Sequence, residues 1–116
     1  MERSDVYNGL KERETSSIDE LKPQIKSLKG ISEVFKALSD DSRSKIIYML
    51  SKKELCVGDI AYILDMNLQA VSYHLKMLKS QDIIKSRRDG KMIYYSLADD
   101  YISNLIELVA QYRLGV

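Results

Sequence analysis

Between Leu55 and Leu97 the chain switches periodicity without a break, and this switch limits the fold more than any other feature. Val57, Ile60, Ala61 and Leu64 recur at three- and four-residue steps, and Val71, Leu75 and Leu78 repeat the pattern after a gap, which predicts two short helices with one buried face each. Asp65-Met66-Asn67 lies between them, polar residues around one apolar plug, with Asn67 placed to cap the second helix. A connection this short lets two helices cross steeply. The pattern then becomes β-rich over Ile83-Ile84-Lys85-Ser86-Arg87, turns at Arg88-Asp89-Gly90-Lys91, and is β-rich again over Met92–Leu97, which predicts a hairpin. Helix, turn, helix and hairpin in that order make a mainly α fold with a small β-hairpin wing, a winged helix-turn-helix.

Charge gives this plan a direction. The chain carries 18 Lys+Arg against 17 Asp+Glu, yet residues 67–91 hold six basic residues against two acidic ones. Lys76, Lys79, Lys85, Arg87, Arg88 and Lys91 supply the excess, on the second helix and the hairpin. Such a stripe is the electrostatic footprint of a nucleic-acid face, because each neutralised phosphate releases condensed counterions. On the polar side of the second helix, Gln69, Ser72 and Tyr73 can reach base edges in the major groove of double-stranded DNA. Lys76, Lys79, Arg87, Arg88 and Lys91 suit phosphate oxygens. His74, on another side of that helix, has two readings: a partly buried hydrogen-bonding residue, or a further DNA contact.

A length of 116 residues suits one domain. Residues 1–16 offer little apolar surface and are expected to form a mobile arm, with the DNA-binding and dimerisation domain spanning 17–116. Ser17-Ile18-Asp19-Glu20 has the spacing of a capping box, ahead of Leu21, Ile25 and Leu28 on one face. Pro23 is expected to bend or shift the start of that helix. After Gly30, Ile31, Val34, Phe35, Ala37 and Leu38 form a second stripe, and Asp40 or Asp41 can cap a third helix whose face is Ile46, Ile47 and Leu50. Asp99 or Asp100 caps a last helix bearing Ile102, Leu105, Ile106, Val109 and Tyr112. So small a domain leaves little core for that stripe to cover, so its expected partner is a second copy. The absence of a long apolar run and of a secretion-signal pattern leads to the expectation of a cytoplasmic protein with no membrane partner.

Enzymatic constellations are missing: there is no Gly-rich phosphate loop, and the single cysteine and single histidine form neither a catalytic pair nor a clustered metal site. The pairs Asp40-Asp41 and Asp99-Asp100 stand before predicted helices, where capping and the helix dipole account for them better than acid–base catalysis. No cofactor or metal is expected. Cys56, at the start of the first motif helix, is either a buried inert thiol or a thiol switch.

Four stretches in succession resemble the ArsR/SmtB family of winged-helix repressors: Phe35 to Arg43, Glu54 to Ala61, Ala70 to Leu78, and Gly90 to Leu97. The resemblance covers residues of about 30 to 112, and implies a homodimer joined mainly by its first and last helices, which brings Leu21 and Ile25 to the expected interface, that binds a palindromic operator until an effector releases it. It also implies two positions for sensing metals, and this chain departs from both. At the first, Cys56 is kept but Gly58 has no ligating side chain; at the second, the aligned residues are Asp99, Tyr101, Tyr112 and Gly115, of which only Asp99 is a ready ligand. Two rivals to the effector-released repressor are a metal-responsive repressor with non-standard ligands and a winged-helix protein-interaction module that no longer binds DNA.

Overall fold

In the computed structural model, which describes residues 17–115, residues 17–19 are helical and are followed by α1 (Leu21–Ser27), α2 (Ile31–Leu38), α3 (Asp41–Lys52), β1 (Leu55–Cys56), α4 (Val57–Leu64), α5 (Leu68–Ser80), β2 (Ile84–Asp89), β3 (Met92–Leu97) and α6 (Asp100–Leu114). The mobile arm expected over residues 1–16 lies outside the described residues. The chain divides into two compact units, one ending at Ile31 and one beginning at Ser32.

The first unit departs from expectation at its cap. Ser17 is itself helical, so it is not the N-cap that the capping-box spacing suggests. The turn at Glu20 restarts the helix at Leu21 and leaves Pro23 in the first turn, where its missing N–H would have had no partner in any case. Leu21 and Ile25 are both exposed within this unit.

In the second unit, buried side chains from α2, α3, β1, α4, α5 and β2 close one core. Ile46 and Ile47 of α3, Ile60 of α4, Val71, Leu75 and Leu78 of α5, and Ile83 before β2 are almost fully buried. Each contributes roughly 1.5–3 kcal/mol by leaving water. The caps fall where the sequence places them. Asp40 accepts from the Arg43 N–H at 3.1 Å, Asn67 accepts from the Ala70 N–H at 2.8 Å, and Asp99 accepts from Tyr101 and Ile102. Between α4 and α5 the chain reverses through Asp65, held left-handed at φ 55°, and Met66 plugs inward against the core.

Two features of the wing differ from the sequence reading. The sheet has three strands, not two, in the order β1-β3-β2, because Leu55 and Cys56 pair antiparallel with Tyr95 and Tyr94. The hairpin turn is also tighter: Asp89 pairs with Met92, so only Gly90 and Lys91 form the loop. Gly90 takes φ 63°, the positive first position of a type II′ turn, which matches the twist of the flanking strands.

Helix α6 also corrects an expectation. It does find core to cover, since Ala110 is buried and Ile102 and Ile106 pack against the main cluster. Lys52 on α3 donates to Glu107 at 2.7 Å and adds a polar tie. What remains open is the outer edge of the stripe.

Candidate nucleic-acid interface

Helix α5 presents two faces with separate tasks. Val71, Leu75 and Leu78 hold it on the core, while Gln69, Ser72, Tyr73, Lys76 and Lys79 are exposed on the side turned away from them. Tyr73 keeps 58% of its surface open. The helix is therefore rigidly seated, yet offers an amide, a hydroxyl, a phenol and two ammonium groups to a partner. That mixture of bidentate, short polar and cationic groups can read base edges and grip phosphates.

The wing lies beside this face. Ser72, Lys76, Lys79 and Tyr95 line a shallow cleft between α5 and β3, and Lys79 Nζ donates to Ser86 Oγ of β2 at 2.8 Å. Alternation along β2 sets Ser86 and Arg88 on the side of buried Ile84, and Lys85, Arg87 and Asp89 on the other. Arg88 and Lys91 are exposed. Arg87, read from sequence as another phosphate contact, is exposed too, but its guanidinium is engaged by Glu54.

His74 sits on the flank of α5, partly buried. Its Nδ1 lies 3.4 Å from an Arg43 guanidinium nitrogen and 3.8 Å from Asp40 Oδ2, and Arg43 Nε donates to the Ala37 carbonyl at 2.8 Å. The Arg43 N–H, with the guanidinium beside it, holds the Asp40 carboxyl below its ordinary range. This group joins α5 to the α2–α3 corner, and no sequence spacing pointed to it.

Cys56 is buried at 7% exposure, and its N–H donates to Asp59 at 3.1 Å, which lowers the Asp59 carboxyl from its ordinary value. Among the described residues, no three His, Cys, Asp or Glu side chains are grouped so as to hold a metal ion. At the second metal position of the family, the Asp99 carboxylate is occupied in capping α6, and Tyr101 and Tyr112 are both highly exposed. The residues present do not fit either metal site within one chain.

A second surface lies on the same unit. Phe35 and Leu38 of α2, Ile47 of α3, and Ile102, Leu105, Ile106 and Val109 of α6 line an apolar groove of about 360 Å³. Four of the five α6 residues expected at a dimer interface meet there. Tyr112 does not line it, and Leu21 and Ile25 belong to the other unit.

Comparison with known proteins agrees with this geometry. Residues 40–86 match the model of the bacterial regulatory protein, arsR family. A cadmium resistance transcriptional regulatory protein CadC homolog from Staphylococcus aureus is 49% identical over 78 residues, 66% of this chain and 64% of that protein. The transcriptional repressor SmtB homolog of Synechocystis is 39% identical over 98 residues, 82% of this chain and 74% of that protein. Among solved structures, a homodimeric winged helix-turn-helix DNA-binding domain from Mycobacterium bovis is similar with a TM-score of 0.68 at 30% identity, covering 90% of this chain and 87% of that one. With the two-helix motif, its exposed basic face and the wing in place, the chain belongs to the ArsR family of DNA-binding transcriptional regulators.

Proposed function

We propose that the protein is a dimeric cytoplasmic repressor that inserts α5 into the major groove of a palindromic operator and is released by an effector. Gln69, Ser72 and Tyr73 read base edges, while Lys76, Lys79, Arg88 and Lys91 meet phosphates. One observation carries the reading: the side of α5 left free by the core bears polar and basic residues, and the wing that borders it adds the exposed cations Arg88 and Lys91. A second copy seated on the apolar groove would pair the two α5 helices, and half-sites about one helical turn apart would match that symmetry. The Mycobacterium bovis relative, described as homodimeric, supports this assembly.

Relatives named for cadmium resistance suggest a metal as effector, but the misfit at Cys56 and Asp99 gives no ligand set on which to build that step. Repression by DNA occupancy is then relieved by an effector of another chemistry.

The test is an anisotropy titration of the full chain against a palindrome recovered by selection from genomic fragments. The expected result is a clear preference over a scrambled duplex, with affinity falling steeply as salt rises. Equal affinity for both duplexes, or no salt dependence, would contradict it.

A further inference from the structure

Arg87 is committed away from DNA. Its Nε donates to Glu54 Oε2 at 2.9 Å and a terminal nitrogen donates to Oε1 at 2.7 Å, and its guanidinium carbon lies 4.9 Å from the centre of the Tyr94 ring. Strand register explains the reach. Arg87 pairs with Tyr94 across β2 and β3, Tyr94 pairs with Cys56 across β3 and β1, and Glu54 immediately precedes β1. The side chain therefore crosses over β3 to the far edge of the sheet, so a single two-pronged contact spans all three strands. Arginine suits this place, since its planar fork matches a carboxylate and its flat face stacks on an aromatic ring. Arg88 leaves the same strand on the opposite side, toward α5.

We propose that Glu54 and Arg87 are positioning residues: they form a clamp across the sheet that fixes the angle of the wing, and Arg87 is not a phosphate contact. A two-stranded ribbon is weakly stable alone. Tying β2 to the residue before β1 anchors the ribbon to the entry of α4, and so to the helix pair that must dock with it. Glu54 takes up Nε and one terminal nitrogen of Arg87, and the other terminal nitrogen lies 3.9 Å from Asp89 Oδ2, so carboxylates already balance the guanidinium charge before any phosphate approaches. The proposal rests on the reading that the wing meets DNA.

The experiment uses the full chain with a fluorescent duplex over a salt series. Glu54→Ala and Arg87→Ala should each weaken binding about fivefold, as expected of a modest surface pair. The double variant should be no weaker than either single one, and the slope of log affinity on log salt should stay unchanged. The charge swap Glu54→Arg with Arg87→Glu should restore affinity. The clamp is overturned if Arg87→Ala reduces the slope by about 0.9 per protomer while Glu54→Ala tightens binding, the pattern of a true phosphate contact. It is overturned equally if neither variant changes affinity. Amide exchange over residues 84–97, measured without DNA, separates the clamp from the DNA reading. Arg87→Ala should speed exchange there and the swap should slow it again, whether or not the wing meets a duplex.

Discussion

Two open faces of the unit that begins at Ser32 are built from opposite chemistry. On α5 and the wing, the exposed residues are Gln69, Ser72, Tyr73, Lys76, Lys79, Arg88 and Lys91, a surface that water tolerates well until a polyanion displaces it. On α2 and α6 they are Phe35, Leu105 and Val109, apolar groups around a groove that has no polar task. The first surface is adapted to bind and release, because charge contacts weaken with salt and reform quickly. The second suits a lasting partner, because its benefit comes only from staying out of water. On the proposed reading, DNA recognition and pairing fall to separate faces of one small core, so each should be open to damage alone.

The largest effect should come from the apolar face. Leu105→Asp would place a charge where the proposed partner copy sits, so sedimentation should show a monomer, and operator affinity should fall by about two orders of magnitude as the paired half-sites lose their linkage. An intact dimer with unchanged DNA binding would detach that face from assembly.

Next in size is a contrast within α5 itself. Leu75→Ala should cost about 2–5 kcal/mol of stability in denaturant melts, since Leu75 is 2% exposed. Its neighbour Lys76→Ala should leave stability within about 0.5 kcal/mol and lower the salt slope of binding by about 0.9 per protomer. If both changes acted only on stability, the division of the helix into a core side and a DNA side would fail.

Much of this contrast was legible in the sequence. The inward face of α5 follows from Val71, Leu75 and Leu78, and the outward one from what the period leaves over. Asp40, Asn67 and Asp99 announce helix starts because short polar side chains reach back to unpaired N–H groups. What stayed hidden depends on distance along the chain. β1 is two residues long, too short to show a period, and exists only because β3 lies beside it. Glu54 and Arg87 are separated by 33 positions, so a charge count placed Arg87 with the phosphate contacts when its charge is already paired. The stripe on α6 was visible, but its division was not: Ile102, Ile106 and Ala110 turn inward while Leu105 and Val109 stay open, and a wide apolar stripe can serve both uses.

Smaller effects sharpen the same picture. Asn67→Ala removes the cap of α5 and should cost about 1 kcal/mol in stability, with a weaker loss of DNA binding as the first turn frays beneath Gln69. The smallest is a response to acid. The Cys56 N–H lowers the Asp59 carboxyl, so this bond contributes fully above the ordinary aspartate value and is lost as pH falls through the lowered one. Melting temperature should therefore decline as pH falls below the ordinary aspartate value and through the lowered one, and Asp59→Asn should flatten part of that decline. An identical profile for the variant would remove Asp59 from the account.

The separation of faces is tested most directly by mapping amide chemical shifts as duplex operator is added to the full chain. Changes should concentrate at Leu68–Ser80 and at the wing from Arg88 to Met92, while Leu105 to Val109 respond to protein concentration and not to DNA. Changes centred on α6 upon addition of the duplex, with α5 silent, would contradict it.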